Sequence, residues 1–516
     1  MFKKSNTDKQ LGLFSSPSSL MCKRESKQYD DELAWQSKFY HNVTCKIDEE
    51  VFRPLYTTKE FDAPTKHIRQ LVAMNILKEG AGCSDEQLFE NCRYNLLWRK
   101  ALGLFNLDDE CPSPASYYLF RAKICEYEKT SADHVNLFEQ CFKKLTAAQV
   151  KAYKVSGRVV RMDSKLISSN IAWYSRYEII HKTLVMSATA DDIAQISDQM
   201  IRQRAGDFLG EDAAKTVYRT DTETMGKHLL DLGIVIKHLL DTKSDQEMVL
   251  LRRVFNEQYE VDKDGNVVLR DKAKISATSV QNPNDTDAAY RSKAGKKVKG
   301  YSTNITETCD ESGKPNLITD VQVKPASAAD NGYVEDGVRG TEEVTGNKVE
   351  KLHADGAYQS PNNRELANDP EKGFEFIANG IQDKPTRFDL NLQEDGTLEV
   401  TDKKTAEVVK AKQTNSGKWK IPVIDKNGKK NYRYFDDAAI ERCKVRRQTE
   451  SIPWEERKKR NNVEATIFQY CFHTRNNKTR YRGLIKHALQ ALARCAWINM
   501  RRLFIYDVEM ALKIAK

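Results

Sequence analysis

Three carboxylates on different kinds of segment constrain this chain more than any other feature: Asp163, Asp355 and Glu464. Asp163 closes the β-branched run Gly157-Arg158-Val159-Val160-Arg161-Met162-Asp163. Asp355 closes a second strand-like run and is followed by Gly356-Ala357-Tyr358. Glu464 lies in a helical stretch behind the basic cluster Arg457-Lys458-Lys459-Arg460. A fold that joins them must bring two strand ends and one late helix to a common point. Two divalent cations about 3.5–4 Å apart need hard oxygen ligands converging from separate elements, so this set has the chemistry of a two-metal phosphoryl-transfer site.

The intervals are long: 192 residues separate the two aspartates and 109 separate Asp355 from Glu464, enough for inserted subdomains. At about 100–200 residues per domain, 516 residues make three or four folded units. Residues 1–64 are polar with scattered aromatics (Trp35, Phe39, Tyr40) and are expected to be a partly ordered arm. Residues 65–150 read as short helices: Leu71, Met74, Ile76 and Leu77 fall at helical spacing, Ser84-Asp85-Glu86-Gln87 is a capping box, and Pro112 and Pro114 punctuate. Residues 151–373 begin with the strand at 157–163 and include a helical insertion at about 186–258, with Leu229, Leu230, Ile234, Ile236, Leu239 and Leu240 as its apolar face. Asp264-Gly265 signals a hairpin, and strand-like runs at 300–308 and 317–324 precede a helix near 330–345. This alternation predicts a mixed sheet covered by helices. Residues 374–435 change character: Phe388, Leu390 and Leu392, Leu398 and Val400, and Trp419, Ile421 and Val423 alternate with polar residues between turns at Asp395-Gly396, Ser416-Gly417 and Asn427-Gly428. That pattern predicts a small antiparallel β-unit. Residues 436–516 are helical and basic and carry Glu464.

Composition narrows the function classes. Lys and Arg number 83 against 74 Asp and Glu, a formal charge of +9, which permits a nucleic-acid partner without demanding one. No apolar run approaches the 18 or more residues of a membrane span, and the N-terminus lacks the apolar core of a signal peptide. The 11 cysteines are scattered and include no Cys-x-x-Cys, so neither a disulfide framework nor a zinc ribbon is expected, and a reducing cytoplasm fits. No Gly-x-x-x-x-Gly-Lys-Ser/Thr loop is present, in keeping with ATP-independent chemistry.

Several blocks resemble, in order, the DDE transposases of bacterial insertion sequences. Arg161-Met162-Asp163-Ser164-Lys165-Leu166-Ile167 and Asn170-Ile171-Ala172-Trp173-Tyr174-Ser175-Arg176 are similar to the family's first-Asp block. Lys299-Gly300-Tyr301 and Asp320-Val321-Gln322-Val323 resemble its second and third strands, and His353-Ala354-Asp355-Gly356-Ala357-Tyr358 its second-Asp block. Val463-Glu464, Thr479-Arg480-Tyr481-Arg482-Gly483 and Ile498-Asn499 resemble the Glu block and its helix. The resemblance implies an α/β fold with an RNase H-like mixed sheet flanked by helices, carrying a helical insertion, a β-strand insertion and a helical N-terminal domain for DNA-end binding or dimerisation. It implies two Mg²⁺ ions (Mn²⁺ able to substitute) held by Asp163, Asp355 and Glu464 as catalytic ligands. The activity implied is DNA cleavage at element ends and strand transfer into target DNA. The implied protein acts as a homodimer on paired terminal repeats, off the membrane, in the bacterial cytoplasm with the nucleoid. The rivals are a DNA-binding protein without catalysis and a plain metal-dependent nuclease.

The basic residues around Glu464 are candidates for backbone-phosphate contacts: Arg442, Lys444, Arg446 and Arg447 before it, and Arg475, Lys478, Arg480, Arg482 and Lys486 after it. A charge run is otherwise a solvated face. Arg460 matches the arginine that the family signature has four residues before the Glu. The signature's tyrosine and lysine are replaced here by Arg457 and Cys471, with Lys478 or Arg480 as candidate substitutes for the lysine. Arg480 and Arg482 around Tyr481 are expected to grip the backbone near the scissile phosphate. Arg93 and Arg99 suit groove or phosphate contacts, and Tyr358 and Trp419 are either base-stacking or core residues. His473 reads as a polar helix residue and not as a ligand.

Overall fold

Pairing along one strand organises the middle of the chain. The computed structural model describes residues 2, 16–56, 67–244, 246–309, 311–380, 386–424 and 430–515. In chain order its strands are β1 (Val159–Ser168), β2 (Tyr259–Val261), β3 (Val267–Leu269), β4 (Ala289–Lys293), β5 (Lys296–Thr308), β6 (Ile318–Pro325), β7 (Lys351–Ala354), β8 (Glu375–Ala378), β9 (Phe388–Leu392), β10 (Leu398–Asp402), β11 (Val408–Lys410), β12 (Lys412–Gln413), β13 (Trp419–Ile424) and β14 (Lys430–Phe435). β1 pairs antiparallel with β5 on one edge and parallel with β7 on the other, and β8 continues the sheet parallel to β7. The far edge of β5 is shared: Lys296 to Gly300 pair with β4 and Tyr301 to Glu307 with β6, both antiparallel. A parallel neighbour needs a crossover, and the helix Val334–Thr345 supplies it between β6 and β7. This is the mixed sheet flanked by helices that the sequence predicts.

Two features differ from the sequence reading. Asp163 does not close its strand; β1 continues to Ser168 because the 13-residue β5 pairs along it as far as Ser168↔Gly300. The first strand-like residues of 374–435 are β8, an edge of the central sheet, and only β9 to β14 form the separate β-unit, as two three-stranded antiparallel sheets. Phe388, Leu390, Leu398, Val400 and Ile421 bury together with Ile440 and Cys443 of the helix Asp437–Ser451. Arg447 on that helix donates to Asp389 and to the carbonyl of Leu390, fixing it to β9. The predicted turn at Asn427-Gly428 lies outside the described residues.

The helical insertion closes on itself. Leu229, Leu232, Ile236, Leu239 and Leu240 of the helix Thr222–Thr242 bury against Tyr177, Ile180 and Leu184 of the helix Arg176–Ser187 and Val254 of the helix Val249–Gln258, whereas Leu230 and Ile234, expected on that face, are only half-buried and lie outside this core. The β2–β3 hairpin turns at Gly265 (φ +87°), a left-handed position that favours glycine, as the Asp-Gly signal predicts. Residues 16–56, expected within a polar arm, instead form short helical segments whose Phe39, Val43 and Phe52 are fully buried.

The N-terminal helices pack onto the C-terminal helix, Leu484–Ile514. The central element is Ile68–Ala81, buried almost all round and ended by Gly82 in the left-handed region. A Cβ built on Gly80 would lie 2.2 Å from the Trp497 ring. Glycine inside a helix ordinarily costs up to about 1 kcal/mol relative to alanine. Overpacking costs about 1–3 kcal/mol, so packing outweighs propensity here. Gly80→Ala is expected to lower the urea midpoint, and an unchanged or raised midpoint would show that Trp497 moves freely.

Asp320 on β6 is buried beneath the helix Val334–Thr345 and accepts a hydrogen bond from Gln322 (2.9 Å). Burial pushes its carboxyl from the ordinary 3.8 up to about 7. Below the ordinary value both folded and unfolded chains hold the proton and the group has no effect. As pH rises from there through about 7 the unfolded chain ionises first, so stability falls. Asp320→Asn is expected to gain stability over the parent between about pH 4 and pH 7.5 and to match it at the acid end. Denaturant titrations at the two pH values measure this, and a pH-independent difference would contradict it.

Candidate functional site

The register of β1 and β7 gathers the carboxylates. The pairs Val159↔Lys351, Val160↔Leu352 and Arg161↔His353 share one offset, and continuing it brings Asp163 level with Asp355, the residue after β7. Neighbouring strands are about 4.8 Å apart, so the two side chains start as close neighbours. Asp355 follows β7 directly and caps the turn Gly356–Tyr358, accepting from the Gly356 amide at 2.6 Å. Glu464 comes from the first turn of the helix Asn462–Cys471 and is exposed.

One guanidinium ties the group together. Arg460 donates through Nη2 to Asp163 (3.0 Å) and through Nη1 to Glu464 (3.1 Å), while its side chain is only 13 % exposed. Asp163 also accepts from the Ser164 amide at 2.8 Å. Its carboxyl is held above the ordinary value, first by burial, and further by the charges of Asp355 and Glu464; Arg460 and the Ser164 amide oppose that rise. Among the described residues no three His, Cys, Asp or Glu side chains are gathered closely enough to hold one metal ion. Arg460 occupies the space between Asp163 and Glu464. The donor set of three carboxylates is the hard-oxygen chemistry that a Mg²⁺-type ion takes, so the residues fit such an ion by type, and the guanidinium supplies the positive charge in this conformation.

Asp163 and Glu464 line a cleft of about 620 Å³ with Lys165, Phe468, Cys471 and Phe472. Phe468 and Phe472 follow Glu464 along one helix face, are exposed, and meet edge to face at 6.1 Å. Lys165 is a residue the sequence reading passed over. It is two residues after Asp163, hence on the same strand face, and its charge acts on the Cys471 thiol. It therefore brings a cation to the cleft beside the two carboxylates. A larger cleft, about 700 Å³, lies on the β-unit away from the carboxylates, and its Arg387 and Asp402 are paired with each other. A third, about 470 Å³, is lined by Arg433, Arg442 and Arg446 with Tyr434 and Phe435.

Other candidate residues have partners inside the chain. Arg480 donates to the carbonyl of Cys83 (2.7 Å) and to Glu79 (3.4 Å). Tyr481 donates to Glu79, and its ring lies between Lys78 and Arg121. Arg482 donates to the carbonyl of Asn170 (2.8 Å), and Lys478 to that of Ile171 (3.3 Å). The segment expected to grip DNA thus laces the end of β1 to the N-terminal helices. Glu79 is 5 % exposed and needs these partners; nothing local to Arg480 signals a carboxylate some 400 positions earlier. Arg99 is buried and bound to the carbonyls of Asn106, Leu107 and Asp109, which removes it as a groove contact, whereas Arg93 is exposed. Tyr358 is buried with its hydroxyl on Asn304 (2.7 Å), and Trp419 packs on the core of the β-unit, so both are packing residues. His473 contacts the Gly80 carbonyl at 3.0 Å, away from the carboxylates.

Residues 27–123 match the family described as "Transposase domain (DUF772)". The match supports a transposase role and covers N-terminal helices through most of Pro114–Thr130; it does not reach the carboxylates. No curated protein and no solved structure matches the chain. Among the described residues no helix is long and apolar enough to cross a membrane.

If Arg480 is a clamp, Arg480→Ala leaves the buried Glu79 short of a partner and is expected to cost about 1–3 kcal/mol. The slope of log affinity for DNA against log salt should then stay unchanged. A phosphate contact would instead keep stability and lower that slope by about 1.

Proposed function

We propose that the chain is a DDE-class transposase of an insertion sequence, cutting DNA at the element's ends and joining them to target DNA. The observation that carries this reading is the meeting of Asp163 and Glu464 at one cleft, bridged by Arg460, with Asp355 directly after the parallel strand beside β1. Three further features support it. The sheet has three consecutive antiparallel strands followed by two parallel ones, an RNase H-like order. A β-unit lies between Asp355 and Glu464. The N-terminal helices match a transposase domain.

Asp163, Asp355 and Glu464 would hold two Mg²⁺ ions, or Mn²⁺ in their place. When bound, such ions lower the pKa of the attacking water and stabilise the leaving 3′ oxygen. The chain's own part is positioning and charge. Asp163 and Asp355 from the sheet and Glu464 from the helix would fix where the cations, and so the reacting phosphate, are held. Arg460, released from the carboxylates, neutralises a backbone phosphate, and Lys165 holds the strand across the cleft. The same arrangement then presents the freed 3′-OH to a target phosphate, so no protein nucleophile is used. Arg433, Arg442 and Arg446 of the β-unit cleft extend the backbone contacts. Two ends must be processed together, so the working form is a homodimer on paired terminal repeats, in the cytoplasm with the chromosome.

Asp163→Asn, Asp355→Asn and Glu464→Gln are each expected to lower Mg²⁺-dependent cleavage of terminal-repeat DNA by at least about 10³-fold, equivalent to several kcal/mol of transition-state stabilisation, with DNA binding retained. Cleavage by any of them at the parental rate would remove that residue from the site. A pre-cut DNA end separates joining from cutting alone: parental strand transfer identifies a transposase, and cleavage without transfer a nuclease.

A further inference from the structure

Behind the carboxylates lies a buried charged cluster that the proposed chemistry does not use. Glu307 on β5 is fully buried and sits directly across from Arg161 on β1. Its Oε1 accepts from Arg161 Nε at 2.6 Å, and its Oε2 accepts from Arg502 Nη1 and from Thr466 Oγ1, each at 2.7 Å. Arg502 also donates to Thr466 at 2.5 Å, and Arg161 donates to the carbonyl of Lys459 at 3.2 Å. Each of these anchor points is one or two residues from the site: Arg161 precedes Asp163 by two, Lys459 precedes Arg460 by one, and Thr466 follows Glu464 by two. The pairing of β5 with β6 shifts register between Thr306 and Glu307, and such irregularities re-aim a side chain.

Stability alone does not account for this cluster. Burying charges carries a desolvation penalty that pairing often fails to exceed, and apolar residues of the same volume commonly hold a core as well or better. A fully hydrogen-bonded polar cluster does fix one geometry, because any slippage strands a buried charge. Here the fixed geometry is that of β1 against the helix Asn462–Cys471.

We propose that Glu307, through Arg161, Thr466 and Arg502, is a positioning residue that sets the separation of Asp163 from Glu464. The proposal rests on the reading of those two as metal-holding carboxylates. Glu307 touches neither DNA nor metal. It holds the strand by one oxygen and the helix by the other, so the two carboxylates keep a constant spacing while Arg460 leaves.

The test is Thr466→Val, which keeps shape and removes one hydroxyl, beside Thr466→Ser and Glu307→Gln. Terbium luminescence titration reports hard-cation binding without any activity, and Mg²⁺-dependent cleavage is measured at saturating DNA. Thr466→Val and Glu307→Gln are expected to weaken Tb³⁺ binding and slow cleavage by roughly 10- to 100-fold with DNA affinity unchanged, and Thr466→Ser to restore both. If Thr466→Val and Glu307→Gln stay within about twofold of the parent in both readouts, whatever their melting temperatures, the cluster is only a core element and the proposal is overturned. Arg502→Lys is read in the same way should either variant fail to fold. Asp163→Asn and Glu464→Gln are the controls. If they too leave Tb³⁺ binding and cleavage at parental levels, the carboxylate reading has failed and the positioning role falls with it. If they abolish both while the Thr466 and Glu307 variants behave as the parent, only the positioning role falls.

Discussion

The double pairing of β1 is the constraint on which the site depends. Antiparallel pairing with β5 fixes its register over nine residues, and parallel pairing with β7 through Arg161↔His353 sets the offset that brings Asp355, just after β7, level with Asp163. The result is concentrated negative charge. Two carboxylates 4 Å apart repel by about 4 kcal/mol at an effective dielectric near 20, and burial raises the cost of the Asp163 charge further. A cation among them offsets this repulsion. Arg460 does so in this conformation, reaching Asp163 and Glu464 from a turn that immediately precedes the Glu464 helix. The proposed chemistry then requires an exchange of one cation for another, with the guanidinium turning from carboxylate to phosphate.

The two ends of the chain are locked together by polar contacts at an otherwise apolar seam. Arg494 of the C-terminal helix donates to the carbonyls of Glu79 and Gly80, His473 contacts the same Gly80 carbonyl, and Arg480 and Tyr481 converge on Glu79. Gly80 lets the Trp497 ring lie against the helix backbone. The region that matches a transposase domain is therefore joined to the segment following Glu464 by packed side chains and hydrogen bonds. The same contacts explain why several basic residues near Glu464 are not free cations: their charge balances Glu79 or caps carbonyls at the seam.

What the sequence by itself determined was whatever is written in local pattern. The hairpin at Asp264-Gly265, the capping box at Ser84, the alternation of Phe388, Leu390, Leu398 and Val400, and the apolar face of the helix Thr222–Thr242 each depend on neighbours a few positions away. The three carboxylates stood out because each lies in or beside a readable run, although Asp163 falls within its strand and not at its end. Only the tertiary structure decided what depends on distant partners. It extended β1 past Asp163, because β5 is long enough to pair there, and it placed β8 in the central sheet, because β7 offers a free parallel edge. It gave Arg480 and Tyr481 acceptors among the N-terminal helices and lined the carboxylate cleft with Lys165. It also made Glu307 the partner of Arg161, Thr466 and Arg502. Periodicity records which side of an element is apolar, but a charged residue gives no sign of its counter-charge when the two are separated by hundreds of positions and meet only after the chain has packed.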